Sequence, residues 1–132
     1  MYGRLVDDFR FAAERKLVAQ FRIVSIAEEH LNQGGSITLT SGFLSHYPNP
    51  HSLATGPFNA AIDTYVRQAA PQLGKQLRLN VVSPAPVVEP ARASIGLVSA
   101  EQVARHYVES VQGSETGRVY RAWGGLPVPA EE

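Results

Sequence analysis

Apolar residues between positions 7 and 32 fall into two stripes. Ala13, Leu17, Phe21, Val24 and Leu31 recur at helical spacing, and a second set, Ala12, Ala19, Ile23 and Ile26, runs beside them. This periodicity predicts one long helix over 7–32, packed against a sheet on one side and against a second helix or a partner on the other. Asn32-Gln33-Gly34-Gly35 ends it, because glycine readily takes the left-handed conformation that closes a helix. The pattern then changes from helical to alternating. Ser36-Ile37-Thr38-Leu39-Thr40-Ser41 is rich in β-branched residues and predicts a strand. Residues 42–56, with Gly42, Pro48, Pro50 and Gly56, predict a long loop. Pro57 suits a first helical turn, and Phe58, Ala61, Ile62, Tyr65, Val66 and Ala69 give a one-faced helix that Pro71 ends or kinks. Leu77–Ser83 predicts a second strand. A proline-rich irregular segment fills 84–98. Ser99-Ala100-Glu101-Gln102 is a capping box opening a helix that Gly113 closes, and Arg118–Trp123 predicts a third strand.

The order α-β-α-β-α-β defines an α/β fold. Strands joined through helices are parallel with right-handed crossovers, and a parallel sheet needs cover on both faces. The expected architecture is half of a doubly wound, Rossmann-like sheet: three parallel strands with three helices, residues 1–132 forming a single half-domain. The first two helices share one face and the last covers the other. The first strand is left with an open edge, which invites pairing with another chain. A homo-oligomer, dimer or tetramer, built through the long helices and this edge is therefore expected.

Composition narrows the function classes. With 12 basic and 12 acidic residues among 132, the formal charge is zero, and Lys and Arg are scattered; the basic footprint of a nucleic-acid binder is missing. No apolar run approaches the roughly 20 residues that span a bilayer, so no membrane partner is expected. The amino terminus has no apolar signal core, which makes a cytoplasmic location the expectation. The absence of cysteine excludes disulfides, thiol catalysis and thiolate metal sites.

Four segments carry a resemblance. Gly34-Gly35-Ser36-Ile37-Thr38-Leu39-Thr40-Ser41-Gly42 resembles the fifth strand of short-chain dehydrogenases/reductases. Asn59–Arg67 resembles the helix that follows it, Leu77–Pro84 the sixth strand, and Gly117–Gly125 the closing strand with its Gly-Gly. Taken in this order, the four match the carboxy-terminal half of that family. The resemblance implies an oxidoreductase-like protein that binds NAD or NADP when the fold is complete. In the family the pyrophosphate lies over a Gly-rich turn in the first βα unit, and no G-x-G-x-x-G occurs in these 132 residues. No cofactor is expected for the isolated chain. The alternative is an NAD(P)-dependent oxidoreductase whose amino-terminal half is missing from this chain or supplied by a partner.

The resemblance also locates the family's catalytic positions, and each departs from the pattern. The tyrosine position falls on Thr55 and the lysine position on Asn59. The serine position falls on Gly42, with Ser41 adjacent, and the asparagine position falls near Lys16. The Pro-Gly after the sixth strand, which approaches the nicotinamide, is Pro84-Ala85. A threonine hydroxyl is a far poorer acid than a phenol, and Asn59 has no charge to stabilise an oxyanion. Standard hydride transfer by this chain alone is not expected.

Other constellations are weaker. Ser41, His46, His51 and Asp63 invite a nucleophile–base–acid reading, but no G-x-S-x-G elbow surrounds Ser41. His46 and His51 lack a third metal ligand at suitable spacing, and no metal site is expected. His30 and His106 are placed near helix carboxy ends, where positive charge suits the helix dipole. Lys16, within an apolar helix, is either a snorkelling amine or one whose basicity burial lowers. A third function class, a binding module, would use the 42–56 loop and the carboxy edge of the sheet.

Overall fold

The computed structural model describes residues 2–50 and 53–130. Helices α1 (Tyr2–Ala12) and α2 (Ala19–His30) are joined without a break by a π-helical stretch, Ala13–Val18. The long predicted helix thus exists, but it begins earlier and widens in its middle. Strand β1 (Ser36–Thr40) leads through a short 3-10 turn at Phe43–Ser45 to α3 (Thr55–Ala69). The predicted loop therefore contains helical structure, and α3 starts at Thr55, two residues before Pro57. Strand β2 (Arg78–Pro84), α4 (Ala100–Gln112) and β3 (Val119–Ala122) complete the chain. Pro71 does end α3, whose last turn tightens into the 3-10 stretch Ala70–Gln72.

The sheet is three-stranded, in the order β1-β2-β3. Both pairings are parallel, with Leu39 opposite Val81 and Val82 opposite Tyr120. One face carries the larger core, where Val24 of α2 and Ile62 and Val66 of α3 close over Ile37, Leu39, Leu79 and Val81. On the other face Val82, Tyr120 and Ala122 pack under Val103 and Tyr107 of α4. The first two helical elements thus share one face and α4 covers the other. Because the parallel strands advance in one direction, β1-β2-β3, helices on opposite faces make the β1-α3-β2 and β2-α4-β3 crossovers opposite in hand, so the expectation that both are right-handed does not hold. A third cluster, Ala85, Val98 and Trp123, lies beyond the carboxy ends of the strands with Phe43, Tyr47 and Leu126 packed on it.

Hydrogen bonds fix the helix ends. The capping box is present: Ser99 Oγ accepts from the Gln102 amide at 3.2 Å, and Gln102 Oε1 accepts from the Ser99 amide at 2.7 Å. The Lys75 ammonium donates to the carbonyls of Glu28, Glu29 and Leu31 at the end of α2. Arg78 does the same at the end of α4, through the carbonyls of Ser110 and Val111. In each case a cation meets the negative end of a helix. His30 closes α2 as expected. His106 does not lie near a helix end: it is at the middle of α4, its ring 6.3 Å from that of Tyr120. The i, i+3, i+4 pattern continues past it to Val111, so the helix runs almost two turns further.

Candidate functional site

The residues singled out from the sequence gather at the carboxy end of β1, where α3 begins. Ser41 and Gly42 follow β1 directly, and both are buried. The Ser41 amide donates to the Val82 carbonyl at 2.9 Å, extending the ladder one residue past the strand. The Ser41 hydroxyl points to α3 and donates to Asp63 Oδ1 at 2.5 Å. Asp63 is 3% exposed. Burial pushes its carboxyl above the usual aspartate range, while the Ser41 hydrogen bond and the charges of Arg67, Arg121 and His46 pull the other way.

Asn59 lies one helical turn before Asp63, so the two share a face of α3. It is 2% exposed, and its Oδ1 is buried without a hydrogen-bond partner among the described residues. Its amide nitrogen rests against Gly42 so closely that a Cβ at position 42 would stand 2.8 Å from Nδ2. Gly42 itself is extended, with φ 174 and ψ 161. Close approach therefore makes glycine necessary there, and backbone strain plays no part. Thr55 occupies the first position of α3, one turn before Asn59, and is half-buried. No hydrogen bond from the Thr55 side chain reaches Ser41 or Asn59 among the described residues.

The long helix reaches this site through its π-helical stretch, which packs against α3. Gln20 carries the connection. The Thr40 amide donates to Gln20 Oε1 at 2.9 Å, and Gln20 Nε2 donates to the Thr40 carbonyl at 2.9 Å and to the Lys16 carbonyl at 3.2 Å. One side-chain amide thus takes the part of a neighbouring strand at the open edge of β1. Lys16 is half-buried in the π-helical stretch, and desolvation lowers the pKa of its amine. Single π-helical turns recur at functional sites.

Pro84 and Ala85 stand at the carboxy end of β2. The Ala85 amide is taken by the Ala122 carbonyl at 3.0 Å, and the side chain is buried in the Trp123 cluster. Trp123 donates from Nε1 to Ser83 Oγ at 3.3 Å, and the His46 ring meets its edge at 5.6 Å. Ser45 Oγ lies 2.9 Å from His46 Nδ1. His46 is therefore engaged with Trp123 and Ser45 and makes no hydrogen bond to Ser41; His51 lies outside the described residues. No group of three metal-ligating side chains occurs among the described residues. None of their helices is long and apolar enough to cross a membrane.

The structure thus brings Ser41, Gly42, Asn59 and Asp63 into contact and leaves Thr55, Pro84 and Ala85 outside that group. Sequence reasoning missed Gln20. The available signal was a polar side chain one helical turn after Lys16, next to the apolar stripe position Phe21. It also treated Asp63 as a possible acid for a histidine, whereas its partner is the Ser41 hydroxyl. Chemically, the cluster offers one carboxyl, one hydroxyl and one unpaired amide oxygen. It holds neither a phenol nor an amine at hydrogen-bonding distance.

Comparison with known proteins gives a consistent picture. A family model described as enoyl-(acyl carrier protein) reductase matches residues 5–120. The uncharacterized oxidoreductase YghA of Escherichia coli K12 is 37% identical over 82 residues, which are 61% of this chain and 28% of that protein. The protein lin1944 of Listeria innocua superposes with a TM-score of 0.80 at 28% identity, over 89% of this chain and 62% of that one. A small-chain dehydrogenase solved in complex with NADPH superposes with a TM-score of 0.80 at 27% identity, over 91% and 64% respectively. The chain therefore spans less than two thirds of the length of each of these proteins.

Proposed function

The chain belongs to the short-chain dehydrogenase/reductase family, and from that premise we propose that residues 1–132 form a single half-domain that does not itself reduce carbonyls. The observation that carries this reading is the Gly42–Asn59 contact. Where the resemblance implies a serine and a lysine, the chain has a glycine with no room for a Cβ and a buried, neutral amide. Thr55, at the tyrosine position, supplies no phenol. A proton relay needs donors whose acidity suits the operating pH, and a threonine hydroxyl and an asparagine amide do not meet that need. Lys16 and Ser41 remain as the polar groups nearest the family's positions, with Ser41 committed to Asp63.

In this reading Pro84 and Ala85 border the nicotinamide end of a dinucleotide only when a complete fold is assembled, and the isolated chain takes up no NAD or NADP. A second reading has a specific support, the structural relative in complex with NADPH: an amino-terminal half supplied by further sequence or by a partner would restore dinucleotide binding. Calorimetric titration of the purified chain with NADPH and NADH separates the two. No heat of binding is expected; stoichiometric binding at micromolar dissociation constant would overturn the first reading.

The assembly expectation is part of the same proposal. Phe11, Ile23 and Ile26 on the outer side of the long helix are all more than half exposed, and an apolar stripe of this kind is a contact surface in need of an occupant. A second copy of the chain packs there, giving a homo-oligomer in the cytoplasm with neither nucleic acid nor membrane as partner. Sedimentation velocity is expected to show a dimer or tetramer that Ile23→Glu converts to monomer. A native chain that sediments as a monomer would refute it.

A further inference from the structure

A cavity of about 340 Å³ opens along the flank of α3 that faces away from the long helix. The long helix holds the other flank, where Phe58 meets Phe9 with ring centroids 5.8 Å apart and Tyr65 meets Phe21 at 4.0 Å. The cavity walls are mostly apolar: Leu44 and Pro48 from the segment after β1, then Leu53, and Pro57 and Ala60 of α3. Ser45 and Asn49 are its polar side chains. Gly56 brings the helix and the turn together, since a Cβ there would stand 2.8 Å from the Leu44 carbonyl oxygen. Two prolines and this close approach stiffen the walls, so a ligand meets a preformed surface.

Positive charge gathers at one end. Gly56, Ala60, Asp63 and Arg67 recur every three or four residues and form one line along α3, so the cavity side of the helix leads to Asp63. The charges of Arg67, Arg121 and His46 all act on the Asp63 carboxyl. Register places Arg121 there: Tyr120 and Ala122 pack under α4, so the alternate residues Val119 and Arg121 face α3. The Arg121 guanidinium and the His46 ring stand 5.5 and 5.6 Å from the Trp123 ring centroid. His46 Nδ1 lies 2.9 Å from Oγ of Ser45, which is on the cavity wall. Arg67 and Arg121 are exposed, and neither makes an ion pair among the described residues. Asp63 is buried and holds the Ser41 hydroxyl, so a ligand meets the guanidiniums before the acid.

The geometry points to a binding site for a small amphipathic anion, its apolar body in the cavity and its oxyanion, a carboxylate or a phosphate, on Arg67 and Arg121. A planar fork of N–H groups matches either head, and an apolar lining with few polar groups suits the body. Ala60 and Arg67 are separated by about 10 Å along the helix axis, a span that an octyl chain bridges.

Titration of the full chain with octanoate, at fixed pH and with ionic strength held constant by chloride, tests this. The readout is the NMR shifts of the Gly56 and Ala60 amides, and saturable shifts with a high-micromolar to millimolar dissociation constant are expected. Octanol keeps the body and loses the charge; it should bind at least about fivefold more weakly. Acetate keeps the head alone and should leave these amides unmoved. Arg67→Gln and Arg121→Gln should each weaken octanoate at least about threefold and leave octanol unchanged. Ala60→Leu, which fills the cavity, should abolish binding of both, and Arg22→Gln on the long helix should change neither. Octyl phosphate, titrated in parallel, identifies the head: tighter binding than octanoate assigns the site to a phosphoryl group, weaker binding to a carboxylate. Shifts that do not saturate, octanoate and octanol binding alike, or octanoate affinity unchanged in both arginine variants would each overturn the site.

Discussion

Replacing Gly42 with alanine adds one methyl group where the structure has no room for it. The new Cβ would stand 2.8 Å from Asn59 Nδ2 and 3.5 Å from its Cγ. Asn59 is 2% exposed, so its amide cannot swing into solvent. The backbone at position 42 is extended and accepts alanine without strain, so the whole cost is steric. Overpacking of this kind destabilises by about 1–3 kcal/mol, which for a chain of this length lowers Tm by roughly 3–10 °C. The partner substitution, Asn59→Ala, removes the obstructing amide together with an unpaired buried acceptor. In that background Gly42→Ala should cost far less, giving a coupling of about 1–2 kcal/mol in a double-mutant cycle. Urea unfolding of the four proteins measures it. If the Gly42→Ala penalty is the same with and without Asn59, the two residues are not in contact as described. The Gly42–Asn59 contact would then no longer support the proposed function. Gly42→Ser, which restores the family's side chain, should behave like Gly42→Ala and confer no reductase activity.

Two further outcomes follow from the same region. Burial raises the folded pKa of Asp63 above its usual 3.8, so folding favours the protonated form: the stabilising contribution is present below about pH 4 and is lost as pH rises through the folded value. Asp63→Asn, which still offers an oxygen to the Ser41 hydroxyl, should therefore gain Tm over the native chain from pH 4 to pH 8; a difference that is flat or shrinks with pH would refute this. Gln20→Met keeps the length of the side chain but leaves both backbone groups of Thr40 unpaired at the β1 edge. A loss of about 1–3 kcal/mol is expected in urea unfolding, with faster amide hydrogen exchange at Thr40, and a Thr40 amide exchanging at the native rate would show that the clasp is dispensable.

Most of the architecture was legible because each element repeats its period several times. The alternation at Ser36–Ser41, the apolar face of Phe58–Ala69 and the Ser99–Gln102 box each specify local structure through neighbours in the chain, and each is found. What was not legible depends on residues far apart in sequence. The π-helical stretch changes no periodicity strongly enough to be read over six residues. The early start of α3 was hidden because proline is tolerated throughout a first turn, so Pro57, which does lie in that turn as the third residue of α3, does not fix the first residue. His106 is in the middle of α4 and not near its end, because Gly113 closes the helix almost two turns beyond it. At the site, the sequence located Ser41, Gly42 and Asn59 but could not show that Gly42 and Asn59 touch. That contact lies across 17 positions, and nothing in either residue's neighbourhood encodes it.

The contact also changes what the substituted positions mean. Under the proposed function, two unrelated substitutions would be expected to leave slack: a void beside Gly42 and a solvated amide at Asn59. Instead the amide fills the space that glycine vacates, within 2.8 Å of where a side chain would begin, and the neighbouring serine is fastened to Asp63 one turn further along the same helix. A close-packed arrangement costs stability to disturb in either direction. A side chain added at Gly42 therefore collides with Asn59, and under the proposed function a proton relay would need changes at Gly42, Thr55 and Asn59 together. A cleft of this kind is held as it is by packing, with Asn59 Oδ1 a buried side-chain atom that has no hydrogen-bond partner among the described residues.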